Sequence, residues 1–150
     1  MAVRQRRVIG AVLRVPLGKR YHAYAWTLVE ADFAFFDLRA ESVVPVEEVV
    51  RHPIAFRVAV HKSAWVTGRW QRVGKVEPPA DVLAPVPTFI QDPLSGRFSI
   101  YVLGDIRPAT REECLGLERC AVWEAEHVED RLRDHFAGLP NTWVESLALR

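Results

Sequence analysis

The chain has 150 residues, of which 49% are apolar and 26% charged, and its formal net charge is +1. These values exclude a bundle of membrane-spanning helices and a highly charged disordered chain. A chain of this length is the usual size of one domain and can bury one core. We therefore expect a single domain over residues 1–150.

The cysteines and the apolar segments indicate a reducing, aqueous compartment. Cys114 and Cys120 have a spacing that fits neither a disulfide framework nor paired zinc knuckles. The apolar run over residues 8–13 is too short for the core of a secretion signal. No stretch approaches the roughly eighteen apolar residues of a membrane span. We expect a cytoplasmic protein.

The first forty residues predict a meander of three antiparallel strands. Residues 8–17 and 21–29 are rich in β-branched and aromatic side chains and flank a short turn with Gly18, which is typical of a hairpin. Residues 33–38 predict a third strand. It follows the second so closely that the two should be antiparallel neighbours.

The middle of the chain predicts shorter elements. Residues 46–52 lie between two prolines and could form one helical turn or a short edge strand, and we predict a loop. Residues 54–60 alternate in polarity and predict a fourth strand. The aromatic segment 64–70 is typical of a turn or short helix, and residues 73–76 predict another short strand.

A proline-rich segment follows at residues 78–93. Its five prolines remove backbone donors and restrict the preceding residues, so we expect an extended connector with little regular structure. Residues 98–103 then predict the final clear strand.

The C-terminal third predicts the main helix. Thr110 and Glu113 have the spacing of a capping box, which can open a short helical turn. A long helix is expected from about residue 117 or 121 to residue 137, ended by Gly138 and Pro140. Residues of its apolar stripe recur at steps of three and four; these are Val122, Ala125, Val128, Leu132 and Phe136.

Together these elements predict an α+β fold that is mainly β. We expect a curled, barrel-like antiparallel sheet of five or six strands, with the one long C-terminal helix packed across it.

Charge is distributed unevenly along the chain. Residues 1–20 hold six basic residues and no acid, whereas residues 111–134 hold eight acids and four bases. A second basic segment has no acidic neighbours in sequence; its members are Arg51, Arg57, Lys62, Arg69, Arg72 and Lys75. If these segments are exposed, the surface has a basic and an acidic side.

Common catalytic motifs are absent. The sequence contains no nucleophile elbow, phosphate-binding glycine loop, dinucleotide loop or zinc helix. Catalysis by Cys114 or Cys120 with His127 or His135 is an alternative, although cysteines are more often small buried residues. We predict no catalytic, metal or cofactor-binding residues and a protein that is not an enzyme.

One face of the long helix is a candidate partner-binding site. Trp123, His127, Asp130 and Asp134 follow helical spacing and should share a stripe opposite the apolar one. Three metal ligands along one straight face do not converge well. The remaining interpretations are a solvated face with Trp123 covered by the C-terminal tail, and an aromatic anchor among acids that binds another protein.

The chain resembles the immunity protein 26 family in several segments. These are residues 17–26 (LGKRYHAYAW), residues 89–92 (FIQD) with the following Ile-Tyr strand, and residues 116–147 (GLERCAVWEAEHVEDRLRDHFAGLPNTWVESL). In the family a glycine and an arginine commonly follow the tyrosine, where Ala25 and Trp26 stand here. That departure puts the identity of the partner in doubt.

The resemblance implies a mostly β, non-enzymatic cytoplasmic protein of a bacterial polymorphic toxin system, which neutralises its cognate toxin by forming a complex. It supplies no catalytic residues. The alternative is a small β-barrel-like nucleic-acid-binding domain, in which the bases between residues 57 and 75 would bind phosphates and Trp65 and Trp70 would stack on bases. The acidic helix and the near-neutral charge disfavour nucleic acid as the partner.

Overall fold

A computed structural model describes residues 4–150, and the first three residues of the basic N-terminal segment lie outside that range. The chain forms two compact units. The first contains residues up to 83 together with 122–141, and the second contains 84–121 with 142–150. Within the described residues, no helix is long and apolar enough to cross a membrane.

Nine strands and six helices make up the described chain. The strands are β1 (Ala11–Pro16), β2 (His22–Thr27), β3 (Asp32–Phe36), β4 (Ile54–Val60), β5 (Gln71–Lys75), β6 (Thr88–Gln91), β7 (Phe98–Val102), β8 (Asp105–Ala109) and β9 (Val122–Trp123). The helices are α1 (Val46–Val49), α2 (Ser63–Val66), α3 (Ala80–Leu83), α4 (Arg111–Cys114), α5 (Ala125–Ala137) and α6 (Thr142–Ser146).

The first unit contains a six-stranded sheet in the order β5-β1-β2-β3-β4-β9. The predicted meander is confirmed, and this sheet has six strands, within the predicted five or six. The prediction of one sheet is wrong, because the strand predicted over residues 98–103 pairs in a second sheet. The predictions of a barrel and of an antiparallel sheet are wrong, because the sheet is open and β9 runs parallel to β4. The sequence analysis placed Val122 on the apolar stripe of the long helix and Trp123 on the opposite stripe, but these residues pair with Ala59 and Val60 instead.

Both faces of this sheet are covered. Along β3, Ala34 and Phe36 face a cluster that includes Tyr24 and Trp26, against which residues of α1 and α3 pack. By strand alternation Phe33 and Phe35 face the other side. There, Trp70 contacts both phenylalanine rings edge-on. Because both faces are buried, β2 and β3 are almost continuously apolar.

Helix α5 covers the side of the sheet that carries Phe35 and Trp70. Arg131 lies over the ring of Phe56, and Phe56 stacks on Phe35. Of the predicted apolar stripe, Ala125, Val128 and Leu132 are buried. The other two positions differ, since Phe136 is half-buried and Val122 is exposed on β9.

The sequence predicted the C-terminal end of α5 correctly but placed its N-terminal end too early. The helix begins only at Ala125, later than predicted, because the preceding residues extend to pair with β4. Gly138 ends it in the left-handed conformation, with φ of 69°, as predicted.

The second unit contains the antiparallel sheet β6-β7-β8 around Phe89, Ile100 and Cys114. The capping box of Thr110 and Glu113 is confirmed at the start of α4. The prediction of little regular structure over residues 78–93 is wrong. Residues 88–91 contain no proline and pair with β7, and α3 forms directly after two prolines, where missing amide donors cost a helix nothing.

Two further sequence predictions needed correction. Residues 46–49 form one turn of helix, α1, and not a loop, because Val49 is drawn into the core beside the sheet. Strand β8 was missed because Pro108 argues against a strand. It is an edge strand, where proline is tolerated.

Candidate protein-binding site

Trp123 does not lie on the long helix with the other predicted site residues. It is in β9 and only 4% exposed. The guanidinium of Arg131 lies over the rings of Phe56 and Trp123, at 3.8 and 5.2 Å from their centres. Trp123 is therefore buried, whereas one of the two interpretations of the sequence required it to be an exposed aromatic anchor. Its ring instead supports α5 from beneath.

The other three predicted residues remain together on α5, and we call them the α5 face: His127, Asp130 and Asp134. All three are half-buried. Asp130 forms a salt bridge of 2.9 Å with Arg133, and the Asp134 carboxylate accepts a 2.9 Å hydrogen bond from the side chain of Asn141. The two acids are thus already engaged within the chain.

Two features of the described residues bear on catalysis, namely the possible metal ligands and the buried cysteine. Across residues 4–150, no three His, Cys, Asp or Glu side chains gather as ligands for a metal ion. Cys114 is buried in the second unit, where burial raises the pKa of its thiol. A raised pKa disfavours the thiolate that nucleophilic catalysis requires.

A buried ionic group that the sequence analysis missed joins α5 to the sheet, and we call it the Glu129 network: Arg69, Trp70 and Glu129. The Glu129 side chain is 4% exposed. Arg69 donates to both its oxygens at 2.8 and 2.6 Å, and the Trp70 indole N–H donates at 2.8 Å. This hydrogen bonding is the largest cause of the raised pKa of Arg69. Partners sixty residues apart left no signal in the sequence.

A second group of charged side chains that the sequence did not predict as a site lies at the turn between β1 and β2. We call it the Tyr21 cluster: Lys19, Arg20, Tyr21, Arg39 and Glu41. The guanidiniums of Arg39 and Arg20 lie 4.0 and 5.1 Å from the centre of the Tyr21 ring. Arg20 also forms a 2.8 Å salt bridge with Glu41. The turn residues are visible as a basic segment in the sequence, but the approach of Arg39 is not.

The basic segment of residues 51–76 is less available than its sequence indicates. Arg57 is mostly buried, close to Asp32, and Arg69 is bound to Glu129. Trp70 is fully buried, so its ring cannot stack on a nucleic-acid base. Two of the predicted phosphate ligands and one predicted stacking platform are therefore parts of the interior, which weakens the nucleic-acid alternative.

The chain belongs to the immunity protein 26 family, whose profile matches residues 8–100. The match includes the first hairpin and residues 89–92, whereas residues 116–147 lie outside it. Comparisons with curated proteins and with solved structures found no match.

Proposed function

We propose that this chain is a bacterial immunity protein that binds the toxin domain of a polymorphic toxin and neutralises it by forming a complex. Membership of the immunity protein 26 family is the observation that carries the proposal. Complex formation requires no chemical step from this chain. We place it in the cytoplasm, since an exposed free thiol, Cys120, suits a reducing compartment.

The α5 face is one surface that we assign to this contact. It is partly exposed and held rigidly, because Arg131 of the same helix packs over the rings of Phe56 and Trp123. Rigidity lowers the ordering cost of binding. In this assignment Trp123 acts as a support for the face, and His127, Asp130 and Asp134 touch the toxin.

Co-expression tests the function directly. The chain is produced together with the C-terminal domain of the large protein encoded next to it, and growth rescue and co-purification are scored. Rescue with a stable complex supports the proposal. Failure with the toxin domain of every neighbouring gene would overturn it.

Substitutions on α5 test the assigned face. Asp130→Lys combined with Asp134→Asn should weaken the complex about tenfold, because the acids of the face are lost while the amide at position 134 still accepts from Asn141. Asp81→Lys is the matched control, since Asp81 is an exposed acid on α3, on the other side of the sheet. Equal affinities for both variants would exclude the α5 face.

We also propose that residues 1–150 unfold as a single domain. The chain leaves the first unit after residue 83, returns at residue 122 and leaves again after residue 141. Neither unit is therefore one continuous stretch of chain. One cooperative transition in calorimetry, with equal calorimetric and van't Hoff enthalpies, is the expected result. Two separate transitions would contradict it.

A further inference from the structure

The Tyr21 cluster is assembled before any partner binds. Ala40 and His22 exchange two backbone hydrogen bonds of 2.9 Å, which hold the loop after β3 against the start of β2. The Leu17 amide donates to the carbonyl of Tyr21 and closes the turn. Arg39 and Glu41 flank Ala40, so this pairing brings Arg39 over the Tyr21 ring and Glu41 to Arg20. A preformed group of this kind loses little conformational freedom on binding.

The cluster carries excess positive charge. Glu41 neutralises Arg20, but Lys19 and Arg39 form no salt bridge with a carboxylate of residues 4–150. Both of these side chains are exposed. Exposed cations with no internal partner are free to attract an anionic one.

The arrangement suits carboxylates on a protein surface. When a guanidinium stacks on a ring, its N–H groups lie in the plane of the guanidinium and point away from the ring face. They can therefore still bind a carboxylate with two parallel hydrogen bonds. Arginine and tyrosine are the side chains most enriched among residues that dominate binding energy. Val43, four residues after Arg39 on the same loop, is a 79% exposed apolar side chain.

We propose that the Tyr21 cluster binds carboxylate side chains on an acidic surface of the toxin domain, with Arg39 and Lys19 as the main ligands. The inference rests on the proposed function and adds the chemical character of the partner. A nucleic acid suits the cluster less well. Glu41 lies within it and would repel a continuous chain of phosphates, whereas the acids of a protein are separate.

The cluster is also continuous with the α5 face. Arg133 of α5 donates to the carbonyl of Leu17 at 3.4 Å and forms the salt bridge with Asp130. One toxin surface can therefore cover the turn and the helix together. The α5 face then supplies acidic side chains beside the basic side chains of the Tyr21 cluster. A toxin surface that complements both carries an acidic patch opposite the Tyr21 cluster and basic side chains opposite the α5 face.

The experiment measures binding of the full chain to the toxin domain encoded beside it, by surface plasmon resonance at two salt concentrations. Arg39→Glu with Lys19→Glu should weaken binding about thirtyfold or more and slow association. The affinity of this double variant should also depend less on salt. Arg39→Lys should lose part of the affinity, because it retains the charge but not the two parallel hydrogen bonds.

The control is Arg51→Glu, which reverses an exposed arginine that follows α1, and it should leave the affinity unchanged. Circular dichroism melting confirms that each variant is folded.

If the wild-type chain binds and the double variant binds equally well, the inference fails while the proposed function stands. If the wild-type chain does not bind the toxin domain, the proposed function fails and the inference fails with it. Binding of duplex DNA that the double variant loses, with toxin binding unchanged, would assign the cluster to phosphates.

Discussion

The Glu129 network and the Tyr21 cluster are built from the same kinds of side chain in different surroundings. Each joins arginine and glutamate to an aromatic residue. In the Glu129 network the carboxylate is 4% exposed and accepts three hydrogen bonds. In the Tyr21 cluster the side chains of Arg20 and Glu41 are 72% and 53% exposed.

Burial decides what each group contributes. A buried carboxylate with three donors cannot lose a partner without leaving polar atoms unsatisfied in the core, so the Glu129 network holds α5 on the sheet. An exposed ion pair contributes little to stability because water and salt screen it. The Tyr21 cluster is therefore available for binding at little cost to the fold, and the following predictions separate the two roles.

Glu129→Ala should cause the largest loss of stability, about 3 kcal/mol, because the Trp70 indole N–H loses its acceptor inside the core. Urea unfolding measures the change. Glu126→Ala is the matched control on the same helix. Its side chain is 73% exposed and 3.9 Å from Arg69, so it should cost less than about 0.5 kcal/mol. Similar losses for both variants would show that burial does not separate the two acids.

Trp70→Phe should cost about 2 kcal/mol, because it removes the indole donor but keeps a ring against Phe33 and Phe35. Combining it with Glu129→Ala tests whether the network acts as a unit. The double variant should lose less than the sum of the two single losses. Strict additivity would mean that the hydrogen bond to Glu129 contributes nothing.

Lowering the pH should reduce stability through His22, by less than the Trp70 substitution does. Burial, together with the charge of Arg14, lowers its pKa from 6.5. Below pH 6.5 the unfolded chain therefore binds more protons than the folded chain, and stability falls as the pH drops towards the lowered value. Urea unfolding at several pH values should show a shallower loss for His22→Gln than for the wild type. If the stability of both proteins fell equally with pH, the pH dependence would not arise from His22.

Arg39→Ala should have the smallest effect on stability, within about 0.5 kcal/mol, since Arg39 is exposed and its guanidinium stacks on the ring of Tyr21. The same substitution should clearly weaken toxin binding. A loss of stability as large as that of Trp70→Phe would instead make the Tyr21 cluster a structural element.

Much of the local structure could be predicted from sequence because the determinants lie within a few residues. Alternation and β-branched residues predicted the meander and β4, the spacing of Thr110 and Glu113 predicted the cap of α4, and Gly138 predicted the end of α5. The immunity protein 26 resemblance also came from short segments, and the family match confirms it.

Tertiary structure alone decided the features that depend on distant partners. Trp123 fits a helical pattern in the sequence, but its backbone pairs with β4 in the structure. The partner strand lies about sixty residues away, so the periodicity of the local sequence cannot reveal this pairing. Arg69 has no acidic neighbour in sequence and yet meets Glu129 sixty residues away. Arg39 reaches Tyr21 because the loop after β3 pairs with the start of β2. Local patterns determine which elements form, whereas burial and charge neutralisation depend on which elements meet in the folded chain.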